Sequence, residues 1–329
     1  MKYLPLLILS LLSAASPLFS QQPKLRIIMI GAHPDDCDLD GGGTAILYAK
    51  MGHAVKFVSV TNGDAGHQQL KGAPLAKRRL GEAKEAGKRF GVEYDVLDNH
   101  DGQLEPTLDV RLQVIKKIRE WDADIVFAPR PNDYHPDHRY TGVLVQDAAF
   151  MVTVPNIASE TPALKKNPVF VYFQDRFQKP SPFRPDISVD ITAVYDQKVH
   201  ALDAHVSQVY EWLPWIGHYS EKVPADTAAR KKCLHSHTAV PINPAVRASL
   251  EKWYGKNHAQ SVNHAEAFEI CEYGTQPDAE QQKRLFPMLG RQDAITRGSA
   301  NKKQIALAFT GDEFADGGDY IGRELKKKM

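Results

Sequence analysis

Two short polar stretches bring together the residue types of a hydrolytic metal centre. They are Gly31-Ala32-His33-Pro34-Asp35-Asp36 and, much later in the chain, Asp133-Tyr134-His135-Pro136-Asp137-His138. Imidazole nitrogen and carboxylate oxygen both bind zinc, and a catalytic zinc site keeps one position open for water. His33, Asp36 and one histidine of the second stretch would give two imidazoles and one carboxylate. Asp35 would then stay free to act as a base, because adjacent side chains diverge. Pro34 narrows the backbone options between them and fixes those directions. In the second stretch one histidine can reach the metal while the other faces the reacting group, and Asp137 can orient an imidazole from behind.

The surrounding elements place both stretches at strand ends. Residues 25–30 form a short, continuously apolar run that reads as a buried strand. Gly41, Gly42 and Gly43 are expected to open a helix through residues 44–49, Gly52 to end it, and residues 55–60 to form the next strand. Such a βαβ unit implies parallel strands and a right-handed crossover. A charged helix over 75–90 stops at Gly91, and a third strand covers 94–97. Asp109 is expected to cap a helix over 110–121 whose Val110, Val114, Ile115 and Ile118 share one face. A fourth strand, Ile125–Ala128, runs into the second polar stretch, with another helix at 140–150. This alternation predicts an α/β fold, a Rossmann-like, mostly parallel sheet with helices on both faces, in which ligands bind beyond the carboxyl ends of the strands.

Beyond Phe150, prolines break the pattern into a less regular C-terminal part. It retains an expected strand at Val169–Phe173, helices at 191–209 and Pro244–Tyr254, and a late strand at 265–272. From Gln276 onward the chain is polar, with little to form a core.

Composition and the N-terminus bound the setting. The 329 residues are 43% hydrophobic and 25% charged with a net charge of +1. No strong field therefore favours nucleic acid or an anionic membrane surface. Lys2, an apolar run from Leu4 to Leu12 and Ser13-Ala14-Ala15-Ser16 read as a secretory signal peptide over residues 1–20, with cleavage after Ser20 or after Ala15. The run falls short of the ~20 apolar residues a membrane span needs, so no stable insertion is expected after its removal. The mature protein is expected to be periplasmic or secreted. Of three cysteines, an odd count in an exported chain leaves at least one thiol free. A Cys233–Cys271 disulfide stays open, and Cys37 reads as a small core residue with metal ligation the alternative.

Ala32-His33-Pro34-Asp35-Asp36, Gly41-Gly42-Gly43-Thr44 and His135-Pro136-Asp137-His138 together resemble the signature of the PIG-L/LmbE-like N-acetylglucosaminyl deacetylases. Arg79 with Glu82, Asp101-Gly102, His205-Val206-Ser207-Gln208 and Ala265-Glu266-Ala267-Phe268 resemble further motifs of that family, so the likeness spans residues 25–272. The resemblance implies a zinc-dependent deacetylase domain over 24–275, followed by a polar extension over 276–329. It implies His33, Asp36 and His138 as zinc ligands, another divalent metal such as Fe2+ being the alternative. Asp35 would be the general base, His135 a stabiliser of the oxyanion or donor to the leaving amine, and Arg79 and Asp101 substrate contacts. The implied reaction removes acetyl from an N-acetylglucosamine-containing sugar or glycoconjugate. The alternatives are an exported carbohydrate-binding protein with a zinc site and little turnover, or an amidase on another envelope amide. Cys37 stands where the family usually carries Glu, so activity should survive while the site could become softer or redox-sensitive.

Other clusters read more plainly. Lys77 and Arg78 suit a solvated helix face. Tyr210, Trp212 and Trp215 suit core or lid packing, with a sugar platform the alternative. His235 and His237 lack an adjacent carboxylate and read as a surface loop.

Overall fold

The computed structural model describes residues 23–290. The expected signal peptide and most of the expected C-terminal extension lie outside the described residues. The sheet has seven strands in the order β3-β2-β1-β4-β5-β7-β6, where β1 is Arg26–Gly31, β2 Ala54–Thr61, β3 Glu93–Asn99, β4 Ile125–Ala128, β5 Val169–Phe173, β6 Ile187–Asp190 and β7 Ala265–Gly274. The first five pair in parallel, and β7 runs antiparallel to both β5 and β6. In β1, Ile27 and Met29 join one core and Ile28 and Ile30 the other. Burial on both faces is why the strand reads as one apolar run.

Helices α1 (Asp36–Lys50) and α2 (Ala73–Phe90) contribute to the first core, with α3 (Leu108–Trp121) and α4 (Pro136–Met151) in the second. The later helices are α5 (Tyr195–Leu202), α6 (Leu213–Ile216), α7 (Thr227–His237), α8 (Pro244–Tyr254), α9 (Lys256–Ser261) and α10 (Ala279–Leu285). The chain leaves β1 for β2 on one side, and β4 lies on the other. The sheet thus has its switch point at β1 and β4, whose carboxyl ends carry the two polar stretches.

Several boundaries differ from expectation. The glycines do not open α1; they lie inside it, and the helix begins at Asp36. A Cβ on Gly41 would meet Met29 Sδ at 2.8 Å, one on Gly42 would meet Phe90 Cε1 at 2.6 Å, and one on Gly43 would meet Ile191 at 2.8 Å. Their function is close packing of α1 against its neighbours. Asp109 does not cap α3; Thr107 does, through its hydroxyl and the Val110 amide. Helix α4 starts at Pro136, with His135 as its N-cap, because proline suits the first helical position. The expected helix at 191–209 is a 3-10 turn, then α5, then a π-helical turn over Ser207–Trp212. The expected polar boundary at 276 is also displaced. A capping box between Asp278 and Gln281 starts α10, and Phe286, Met288 and Leu289 beyond it are buried in the core. All three cysteines are free, so Cys233 and Cys271 form no disulfide.

Candidate metal centre

The turn after β1 is built by Asp36. Its Oδ2 accepts from the backbone amides of Ala32 and His33, each at 2.8 Å. Gly31 permits this turn, since a Cβ there would stand 2.7 Å from the Asp36 Cβ. The same carboxylate oxygen lies 3.6 Å from His33 Nδ1 and 3.5 Å from His138 Nε2, and those two nitrogens are 3.1 Å apart. A tetrahedron with metal–nitrogen bonds of 2.0–2.1 Å has edges of about 3.4 Å. The three donors therefore fit three corners of one coordination sphere.

Each imidazole is oriented from its far side. His33 Nε2 lies 3.2 Å from Asp101 Oδ1 and 3.3 Å from Asp137 Oδ2, while His138 Nδ1 lies 3.3 Å from Asp133 Oδ2. Carboxylates behind histidine ligands fix the ring and raise its basicity. Burial works against charge on His33, but Asp101, Asp137 and Asp36 hold its pKa well above the ordinary imidazole value. Burial likewise opposes charge on His138, yet Asp36 and Asp133 bring it to about 9. Asp36 is driven the other way: burial favours its neutral form, but His138 and His33 hold it well below the usual carboxylate range. Surroundings that draw protons onto two facing imidazoles also favour a divalent cation between them.

His135 adds a third nitrogen nearby. It groups with His33 and His138, as His33 also does with Asp101 and Asp137. His33 and His138 are each held by carboxylates through the nitrogen turned away from the other ring, which leaves His33 Nδ1 and His138 Nε2 facing Asp36 Oδ2, the oxygen that also accepts the Ala32 and His33 amides. The Nδ1 of His135 accepts from the Asp137 amide at 3.2 Å, which leaves Nε2 to carry the proton. Burial lowers its pKa, and the adjacent His33 and His138 lower it further, which keeps the ring neutral.

Asp35 and Arg79 form a second layer. Asp35 is 6% exposed, and its Oδ1 accepts from Arg79 Nη2 at 2.9 Å. Burial raises the Asp35 pKa, with Arg79 opposing it. Arg79 is only 2% exposed and also approaches Gly63 O at 3.4 Å and Asp101 Oδ2 at 3.7 Å. Gly63 has φ +71°, and a Cβ on it would strike the Arg79 guanidinium at 2.5 Å. Both expected substrate contacts face other residues of the site. Arg79 is engaged with the expected base, and Asp101 stands behind an expected ligand. Asp133, quoted in the motif without a role, orients His138. It does so from five residues upstream, and its Oδ1 also accepts the His135 amide at 2.8 Å.

The remaining motif residues brace this layer. His205 Nε2 lies 2.8 Å from Asp38 Oδ1, and Tyr94 donates to Asp38 Oδ2 at 2.8 Å. Glu266 accepts from the amides of Gly43 and Thr44 and from Lys198 Nζ, at 2.7–2.8 Å. Cys37 is fully buried, and burial pushes its thiol pKa well up, so it packs in the core. Tyr210 donates to Asp203 at 2.7 Å, and Trp212 and Trp215 stack on each other at 5.4 Å. Arg78 is paired with Glu211 and Glu82.

The chain is similar in sequence and fold to known proteins. The family model described as PIG-L, GlcNAc-PI de-N-acetylase, matches residues 28–149. A diacetylchitobiose deacetylase from Thermococcus kodakarensis is 32% identical over 208 residues, covering 58% of this chain and 74% of that protein. A 4-oxalmesaconate hydratase from Pseudomonas putida is 23% identical over 198 residues, covering 58% of this chain and 76% of that protein. Among solved structures, the N,N'-diacetylchitobiose deacetylase from Pyrococcus horikoshii superposes with a TM-score of 0.55 at 26% identity, covering 74% of this chain and 83% of that one. The shared motifs, the parallel sheet that positions them and the match across most of a deacetylase of known name place the chain in the PIG-L/LmbE-like deacetylase family.

Proposed function

We propose that the protein is a zinc-dependent N-deacetylase that hydrolyses the acetamide of an N-acetylglucosamine-containing sugar or glycoconjugate. The observation that carries this reading is the triangle of His33 Nδ1, Asp36 Oδ2 and His138 Nε2, with Asp35 next in sequence and held by Arg79. These three side chains would hold a divalent ion, which would supply Lewis acidity and lower the pKa of water to about 7.

The chain's own residues then divide the proton work. Asp35, its pKa raised by burial, takes a proton from the attacking water. The neutral His135 donates Nε2–H toward the developing oxyanion, where one such donor is commonly worth about 3–4 kcal/mol. Arg79 keeps the Asp35 carboxylate in one orientation. Asp101, Asp137 and Asp133 hold the imidazoles in theirs. The expected signal peptide, if present, would favour an envelope or environmental glycan as substrate.

The hydratase among the relatives raises a second reading, addition of water to an unsaturated carboxylate. The charged groups against His33 disfavour it: they are the carboxylates of Asp36, Asp101 and Asp137, while the Arg79 guanidinium is buried on Asp35 and that of Arg139 is taken up by the Asp133 and Tyr134 carbonyls. A neutral acetamide suits that setting better than a polycarboxylate does. Acetate release by the metal-loaded protein from N-acetylated glycans, run beside hydration of 4-oxalmesaconate, separates the two. Hydration without acetate release would overturn the deacetylase reading.

A further inference from the structure

Tyr134 stands between the two imidazoles of the second motif stretch and open solvent. Its ring centroid is 6.0 Å from that of His135 and 6.4 Å from that of His138, yet the residue is 75% exposed. A single exposed aromatic needs no explanation by itself. What distinguishes Tyr134 is the construction around it. Arg139 donates to the carbonyls of Asp133 and Tyr134 at 2.8 and 2.9 Å, which fixes the backbone that carries the ring.

Phe177, half-buried, packs 6.4 Å from the Tyr134 ring and belongs to the loop that follows β5. That loop is fastened by a buried arginine. Arg130, 5% exposed, grips Asp175 through Nε and Nη2 at 2.6 and 2.7 Å. It also donates to the carbonyls of Phe177 at 3.1 Å and Ser181 at 3.0 Å. Asn132 donates to Lys179 O at 2.9 Å, which ties the same loop to the stretch that carries Tyr134. An aromatic ring is thus backed on one side, pinned at its backbone and left exposed beside His135 and His138.

We infer that Tyr134 is the stacking platform for the sugar ring adjoining the one whose acetamide reacts, so that the site takes an N-acetylated disaccharide or longer chain in preference to a monosaccharide. The inference rests on the deacetylase reading. The reacting sugar must bring its carbonyl to His135, which is the more enclosed position. A ring further out and turned to solvent meets the next sugar, whose C–H face is apolar and suits an aromatic surface. The hydroxyl of Tyr134 plays no part in this role.

The test compares wild type, Tyr134→Ala and Tyr134→Phe, metal-loaded, on N-acetylglucosamine, N,N'-diacetylchitobiose and the trisaccharide. At 75% exposure the ring contributes little to folding, so the variants should be stable. Tyr134→Ala should raise KM for the di- and trisaccharide on the order of tenfold. It should leave kcat, and all kinetics on the monosaccharide, within about twofold, and Tyr134→Phe should match wild type. Equal losses on mono- and disaccharide, no loss on either, or a Tyr134→Phe variant as impaired as Tyr134→Ala would each overturn the platform. A parallel NMR titration of the metal-loaded proteins with chitobiose, the amine product, reads binding without turnover. Wild-type protein that releases no acetate but binds chitobiose through Tyr134 would sink the activity and keep the platform. Wild-type protein that binds no sugar would sink both.

Discussion

The Asp35–Arg79 pair offers the sharpest test of how the site is held. Arg79 Nη2 lies 2.9 Å from Asp35 Oδ1, with side-chain exposures of 2% and 8%. Replacing Arg79 with Gln leaves a carboxylate buried without its cation. Breaking a buried pair from one side costs about 3–5 kcal/mol, against a total stability of ~5–15 kcal/mol. At roughly 2–4 °C per kcal/mol for a domain of this size, Tm should fall by roughly 6–20 °C. The reverse change, Asp35→Asn, should cost less. The amide oxygen can still accept from Arg79, which also keeps Gly63 O and Asp101 near it. The double variant Arg79→Gln/Asp35→Asn should therefore be more stable than Arg79→Gln by roughly 1–3 kcal/mol, because no charge is left unpaired. pH adds a sign. Burial raises the Asp35 pKa and Arg79 opposes it, so removing Arg79 raises it further. A carboxyl with a raised folded-state pKa favours folding in acid and loses that contribution as pH rises through the raised value. The deficit of Arg79→Gln should thus be smaller at pH 5 than at pH 8. Urea denaturation of the four proteins at both pH values measures this cycle. A double variant no more stable than Arg79→Gln, or a deficit that grows in acid, would refute the assignment of Arg79 to Asp35.

Other outcomes follow from the same contacts. Asp35→Asn should keep its metal while kcat falls by about two to four orders of magnitude, read by acetate release beside elemental analysis. His138→Ala should lose metal; chelator should lower the wild-type Tm and leave that of the variant unchanged, and full zinc content in the variant would remove His138 from the ligand set. Gly42→Ala gains up to ~1 kcal/mol of helix propensity. Its new Cβ meets Phe90 Cε1 at 2.6 Å, however, and overpacking of about 1–3 kcal/mol should make the change destabilising by thermal melt. Glu266→Gln should destabilise by about 3–5 kcal/mol, since Lys198 is left buried beside a neutral amide.

Much of the fold was legible locally. The strands β1 and β4 are buried on both faces, so they appear as uninterrupted apolar runs that need no partner to be recognised, and β2 shows the same signal in part, with Lys56 and Ser59 among its apolar residues. Where a boundary depends on a neighbour, local reading failed. Gly41, Gly42 and Gly43 look like helix openers, but Met29, Phe90 and Ile191 decide their use. Phe286, Met288 and Leu289 sit in a polar-looking tail, yet pack into the first core, near where Tyr48 donates to Leu285 O at 2.7 Å.

The sequence by itself determined which side chains are candidates for the centre. His33, Asp35, Asp36, His135 and His138 lie in two stretches directly after strands, and parallel α/β sheets put such ends on one side. Only the tertiary structure decided what stands behind them. Arg79 on Asp35, Asp101 on His33 and Asp133 on His138 are pairings that local spacing does not announce, and Asp137, expected to orient an imidazole, is assigned by the fold to His33. Motif spacing encodes donors carried on one turn. The orientation of those donors depends on distant carboxylates and on a buried guanidinium, and contacts of that kind exist only once the sheet has closed β1 against β4.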